Sequence, residues 1–150
     1  MSNADAFREF AKLQAQLAGL ANGHVAREIR QEVAKETVQL IKTDFRAERT
    51  PYGSGWPERL KSVPWPMLRK SGKLFGALLD GVRYSVRGLA VVINLPYAKA
   101  QNYGYQPRNL AARQYLPDPA KPMPARWERA WKAASERVVS RWLGERVKAA

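Results

Sequence analysis

Apolar residues recur at three- and four-residue steps in two stretches at the start of the chain. Phe7, Phe10, Leu13, Leu17 and Leu20 form the first, a spacing that predicts an amphipathic helix. Asn22-Gly23 interrupts it, and Gly23 reads as a C-cap. Val25, Ile29, Val33, Thr37 and Ile41 then repeat every four residues, with Val38 and Phe45 widening the stripe. That predicts a second helix to about Arg46, or a kinked continuation of the first. Its other face alternates Glu28, Arg30, Glu32, Lys35 and Glu36, the pattern of a solvated surface. The first helix is expected in the core; the alternative is an arm that docks on another subunit.

Helical periodicity stops at Thr50-Pro51-Tyr52-Gly53-Ser54-Gly55-Trp56-Pro57, a turn-rich loop. Trp56 is expected to anchor it, since one large ring buries much area from a segment otherwise short of apolar groups. The functional alternative is a platform on which a base stacks. Val63-Pro64-Trp65-Pro66 extends the irregular stretch over 50–67. Ser71 is a good N-cap, and Leu74, Phe75, Leu78 and Leu79 share one face of a short helix that Asp80-Gly81 ends.

Beyond Gly81 the period changes to two. Val82 to Val86 alternates, Arg87-Gly88 reads as a turn, and the apolar run over 89–95 supplies the second strand of a hairpin. Two strands alone are marginal, so a third is expected from the loops or from a neighbouring subunit. Pro96 ends the run, because it has no N–H for a ladder. Tyr97-Ala98-Lys99-Ala100-Gln101-Asn102-Tyr103 then reads as one or two helical turns stopped by Gly104. Five residues of 104–123 are Gly104, Pro107, Pro117, Pro119 and Pro122, which predicts another loop. Pro124 opens a last helix of about 25 residues with Trp127, Trp131, Ala134, Val138 and Trp142 on one stripe. Its basic back is expected to be solvated, the alternatives being a phosphate site and, for the tryptophans, a partner surface. The fold class predicted is α+β: N-terminal helices, a small antiparallel β-sheet with short helices, and a long C-terminal helix. One domain over 1–150 divides into a helical part (1–47), sheet and loops (48–123) and the last helix (124–150).

Composition changes this picture in one respect. The chain of 150 residues is 45% hydrophobic and 26% charged, as globular domains are, but its net charge is +13. Residues 1–50 contribute +1, 51–113 contribute +8 and 114–150 contribute +4, so the excess is central and not a tail. Such a surface calls for an acidic partner, either nucleic acid or a protein face. There is no cysteine, hence no disulfide, thiol nucleophile or thiolate metal site. No apolar run approaches the ~20 residues of a membrane span. The opening residues lack the layout of an export signal, so a cytoplasmic place of synthesis is expected.

Catalytic patterns are not found. His24 is the one histidine, and Glu58 and Asp80 are the only acids over 51–113, so neither a zinc set nor paired carboxylates show there. Gly53-Ser54-Gly55 and Ser71-Gly72-Lys73 lack the spacing of a phosphate loop. A non-enzyme without cofactor or metal is expected.

Four segments in order carry a resemblance. Phe45 followed by Pro51-Tyr52-Gly53 and Trp56 resembles the Phe…Asp-Pro-x-Gly-x-x-Trp loop of the virion morphogenesis, or tail completion, proteins of tailed phages. Leu68-Arg69-Lys70-Ser71-Gly72-Lys73-Leu74 is similar to that family's Leu-Arg-Asp-Thr-Gly-Arg-Leu. Tyr97 to Gly104 looks like its Tyr-Ala-x-x-His-Gln-Phe-Gly, with Gln101 where the family has histidine, and Arg113-Gln114-Tyr115-Leu116 like its Arg-Pro-Phe-Leu.

The resemblance implies a structural virion protein of the head–tail joining region, or neck. It would be assembled in the host cytoplasm as a homo-oligomeric ring, hexameric by analogy. Its partners would be connector or neck proteins and the tail tube or tail terminator, with passing genomic DNA as a further contact and no membrane. A basic DNA-binding protein is the alternative. On this reading Gln101, Tyr103, Arg113 and Tyr115 are expected at the subunit or tail interface. Trp56, Tyr97 and Gly104 are expected as structural anchors, Tyr97 packing inward. Arg83, Arg87 and Lys99 are expected to make electrostatic contacts.

Overall fold

The computed structural model describes residues 23–59, 68, 71–85, 88–108 and 110–148. The predicted first helix, the Val63–Pro66 segment and Arg87 lie outside the described residues. In chain order the elements are α1 (His24–Arg46), α2 (Lys73–Asp80), β1 (Val82–Ser85), β2 (Gly88–Val91), α3 (Ala98–Tyr103), a 3-10 turn (Gln106–Arg108) and α4 (Ala125–Lys148). This is an α+β arrangement in which two long helices carry a small antiparallel hairpin.

The four-residue stripe on α1 is the reason it pairs with α4. Val25, Val33, Thr37, Ile41 and Phe45 are buried, as are Trp127, Ala134, Val138 and Trp142 opposite them. The helices run antiparallel: Val25 packs with Val138 and Trp142 at one end, and Asp44 meets Trp127 at the other. The tryptophan stripe is therefore core. Packing Trp127 and Trp131 here brings two indole N–H groups into an otherwise apolar seam, and polar side chains on α1, Asp44 and Thr37, match them. Thr37 accepts from the Trp131 Nε1 at 3.0 Å while donating to the Val33 carbonyl at 2.7 Å.

Gly23 is the N-cap of α1, in the left-handed region at φ 75°; the helix it was expected to end lies outside the described residues. The other end of α1 closes without glycine. Glu48 takes φ 53°, its N–H bonds to the Phe45 carbonyl, and the Arg49 N–H reaches back to the Asp44 carbonyl at 3.1 Å. That is the paired closure of a Schellman end, and it turns the chain into the next loop. The loop itself is tighter than its composition suggests. Arg49 pairs with Gly55 as an isolated antiparallel bridge, the Trp56 N–H bonds to the Glu48 carbonyl at 2.8 Å, and Pro51 is fully buried.

α2 starts at Lys73 with Gly72, not Ser71, at its N-cap. The hairpin register pairs Val82 with Val91 and Ser85 with Gly88, so Gly88 belongs to the second strand and not to the turn. The ladder ends at Val91, yet the period of two persists to Leu95: Val91, Ile93 and Leu95 pack on the core while Val92 and Asn94 are exposed. Among the described residues the sheet has two strands, and α1 and the main core cluster, not a third strand, cover its apolar face. No helix among the described residues is long and apolar enough to cross a membrane.

Candidate functional site

The chain leaves β2 through Pro96 and folds into α3 by a single turn, the Ala98 N–H bonding to the Leu95 carbonyl at 3.2 Å. This turn decides which residue enters the core. Tyr97 occupies the N-cap position with helical backbone angles and points to solvent at 42% exposure. The inward expectation for Tyr97 is thus corrected: Ala98 is the buried residue, because the space beneath it is taken by Tyr115. The Tyr115 hydroxyl donates to the Ala98 carbonyl at 2.5 Å, and only a small side chain leaves room for that approach.

Tyr115 and Arg113 are likewise not at an interface. Tyr115 is 2% exposed, with its ring 6.0 Å from that of Phe45. Burial, and after it the neighbouring phenols of Tyr103 and Tyr97, pushes its own phenol up to about 12. Arg113 turns inward because the 57–58 loop offers it carbonyls: its Nε donates to Pro57 O at 3.3 Å and its guanidinium to Glu58 O at 3.1 Å. Its own N–H bonds to the Gln101 carbonyl at 2.8 Å. These contacts make both residues part of the frame beneath α3.

Asn102 completes that frame and was not singled out by sequence. It is buried, and its Oδ1 accepts the N–H groups of Tyr115 and Leu116 at 2.9 and 3.2 Å. A side-chain amide here does the work of a missing strand, satisfying backbone donors that no ladder reaches. Gly104 follows at φ 78°, ψ 169°; a Cβ there would lie 2.9 Å from the Leu110 carbonyl oxygen. The chain doubles back at that point, the Tyr105 and Leu110 N–H groups bonding across the turn. Gly104 thus sits where a side chain would clash. Trp56 is 6% exposed, donates from Nε1 to the Gln114 carbonyl at 2.8 Å and meets Phe45 edge-on at 5.1 Å. The base-stacking alternative for Trp56 does not fit a ring so enclosed.

What the frame presents to solvent is aromatic and basic. Tyr97, Tyr103 and Tyr105 are 42%, 55% and 48% exposed. Between α3 and the following turn lies an open cleft of about 580 Å³ lined by Pro96, Tyr97, Ala100, Gln101, Tyr105, Arg108 and Leu110. Gln101 lines it, and its Oε1 is buried without a hydrogen-bond partner among the described residues. An unpaired buried acceptor costs free energy unless something outside the chain supplies a donor. Lys99 and Arg108 are exposed alongside, and residues 81–117 contain no Asp or Glu at all. Arg83 is exposed on β1, with its guanidinium turned back onto the Asp80 carbonyl.

A second polar cluster was also missed from sequence. Asp44, 1% exposed, accepts from Arg49 Nε at 2.9 Å, from the Arg126 guanidinium, and from Trp127 Nε1 at 2.9 Å. One carboxylate thereby ties α1, the 49–56 loop and α4 together. The signal was present: Asp44 stands three residues after Ile41, on the apolar stripe.

No family model, curated protein or solved structure matches the chain.

Proposed function

We propose that the chain is a structural subunit of the head–tail joining region of a tailed phage or prophage, acting by assembly into a homo-oligomeric ring. The observation that carries this reading is a convergence. The four resembling segments are separate in sequence, yet Phe45, Trp56, Leu74, Ala98 and Tyr115, drawn from all four, meet in one buried cluster. Motifs that coincide by accident have no reason to share a core. Above that core Tyr97, Tyr103 and Tyr105, three of the five exposed tyrosines among the described residues, gather at one corner, the composition of a recognition surface. Connector or neck proteins on one side and the tail tube or terminator on the other are the partners this reading supplies.

The DNA-binding alternative draws on the +8 charge of residues 51–113, but the described cations over 81–113 do not form a track. Arg113 is sequestered by loop carbonyls, Arg83 folds onto Asp80, and Lys99 and Arg108 flank a cleft. Phosphate tracking requires a groove of cations in series. The two readings separate on the purified chain at low salt. Light scattering and negative-stain images should give a ring of defined subunit number without DNA, and antibody label should fall on the neck of particles. A monomer that binds duplex with a steep salt slope would overturn the assembly reading.

A further inference from the structure

We infer that the cleft beside α3 receives the proline turn at 118–123 of a neighbouring copy. The inference rests on the self-assembly reading above and names its contact surfaces.

The cleft states its own requirements. Its walls are the rings of Tyr97 and Tyr105, its lining includes the small Ala100 and the apolar Pro96 and Leu110, Arg108 supplies a cation, and the Gln101 Oε1 awaits a donor. An occupant should therefore present a compact apolar tip with one carboxylate and one N–H donor nearby. Among the described residues, Pro96, Tyr97, Ala100, Gln101, Tyr105, Arg108 and Leu110 line the cleft, and none of them fills it.

One exposed feature of the same chain meets all three demands. Pro119 and Ala120 form the tip of a turn closed by the Lys121 N–H on the Asp118 carbonyl at 3.0 Å. Asp118 Oδ1 accepts the Ala120 N–H at 2.9 Å, leaving Oδ2 directed to no donor among the described residues. Lys121 brings an exposed ammonium 5.5 Å from the Tyr52 ring centroid. The turn is held before binding. Tyr52 donates its hydroxyl to the Pro122 carbonyl at 3.1 Å and accepts the Asp118 N–H at 3.2 Å, so little ordering entropy remains to be lost on docking. Seated in the cleft, Pro119 lies between the two tyrosine rings, Asp118 pairs with Arg108, and a rotation of the Gln101 side chain brings its Oε1 out to the Lys121 ammonium. Exposed Met123, at 37%, extends the apolar contact.

The two surfaces are different parts of the chain, so the contact is head-to-tail. Repetition of a head-to-tail contact generates a ring if the rotation closes and a filament if it does not.

The absence of cysteine gives a direct test. Pro119→Cys and Arg108→Cys are prepared separately, both at exposed positions, and circular dichroism checks their fold. Mixed and mildly oxidised, they should give the 119–108 disulfide in at least about tenfold excess over either homodisulfide, by mass spectrometry of the digest. Tyr105→Ala should weaken self-association about tenfold or more by sedimentation, with an unchanged helical signal. If the chain assembles but the mixed disulfide is no more abundant than the homodisulfides, or Tyr105→Ala assembles like the parent, the turn–cleft contact is wrong and the ring reading stands. A chain that stays monomeric at every concentration overturns both.

Discussion

The α1–α4 pair and the α3 corner are both rich in aromatic rings, and they spend them in opposite ways. Along α1–α4 every large ring is turned inward or half-buried, and the polar groups that go with them are matched: Asp44 by two arginines and an indole, Thr37 by another indole. At the corner the order is inverted. The groups beneath α3 are matched, Asn102 on two N–H groups and Tyr115 on a carbonyl, while three tyrosines stay in water and the Gln101 Oε1 has no donor. Unmatched polarity and exposed aromatics in one place, on an otherwise satisfied frame, are what the assembly proposal takes as its contact surface.

The strongest break of this contrast is in the scaffold. Trp56→Ala removes a ring enclosed by Phe45 and the 114 carbonyl and should cost roughly 3–5 kcal/mol in urea unfolding, the range for emptying a large aromatic site. An unchanged midpoint would place the ring at a surface and blur the distinction. Next is Asp44→Ala, expected at about 3 kcal/mol. Loss of one partner strands buried donors, but Arg49 and Arg126, at 35% and 34% side-chain exposure, can turn to water and recover part of the loss. Asp44→Asn should fall between Asp44→Ala and the parent, since an amide oxygen still accepts from the Trp127 indole.

How far these regions were legible follows from the same contrast. The long helices were readable because their apolar stripes are periodic, and α1 ends at Arg46 as its pattern indicates. The roles of Arg113 and Tyr115 were not. Whether a Tyr four residues before a proline-rich turn faces in or out depends on whether Ala98 and Asn102, more than ten residues away, leave it space and acceptors. Periodicity carries no such information. Tyr97 was misplaced for a related reason: its six-residue separation from Tyr103 sets their relative direction, but the Leu95–Ala98 turn sets the absolute one. Asp44 was hidden in plain view among solvated acids, its burial set by α4 80 residues downstream.

A smaller effect tests the frame beneath the corner by pH. Folding raises the Tyr115 phenol from 10.0 to about 12, because burial disfavours the phenolate. The folded form therefore holds its proton where the unfolded form releases it. Stability from this residue is fully present below about pH 10 and drains away as pH rises toward 12. Urea midpoints measured at pH 9 and at pH 11.5 should fall between the two, and Tyr115→Phe should flatten that fall while lowering both values through loss of the bond to Ala98. A parent chain with equal midpoints would place the hydroxyl in water.

The smallest expected effect sharpens the comparison most. Tyr103 is the most exposed of the corner tyrosines at 55%, and it does not line the cleft. Tyr103→Ser should leave the unfolding free energy within about 0.5 kcal/mol of the parent, as surface substitutions away from packed features do. Its effect on association separates two accounts of the corner. If exposed aromatic area alone drives self-association, removing the most exposed ring should weaken it as much as Tyr97→Ala or Tyr105→Ala. If the cleft is the contact, Tyr103→Ser should sediment close to the parent while the two wall variants do not. Equal losses from all three would make the corner an undifferentiated sticky patch. An unequal pattern would locate recognition between the rings of Tyr97 and Tyr105, where the Gln101 Oε1 lies unpaired.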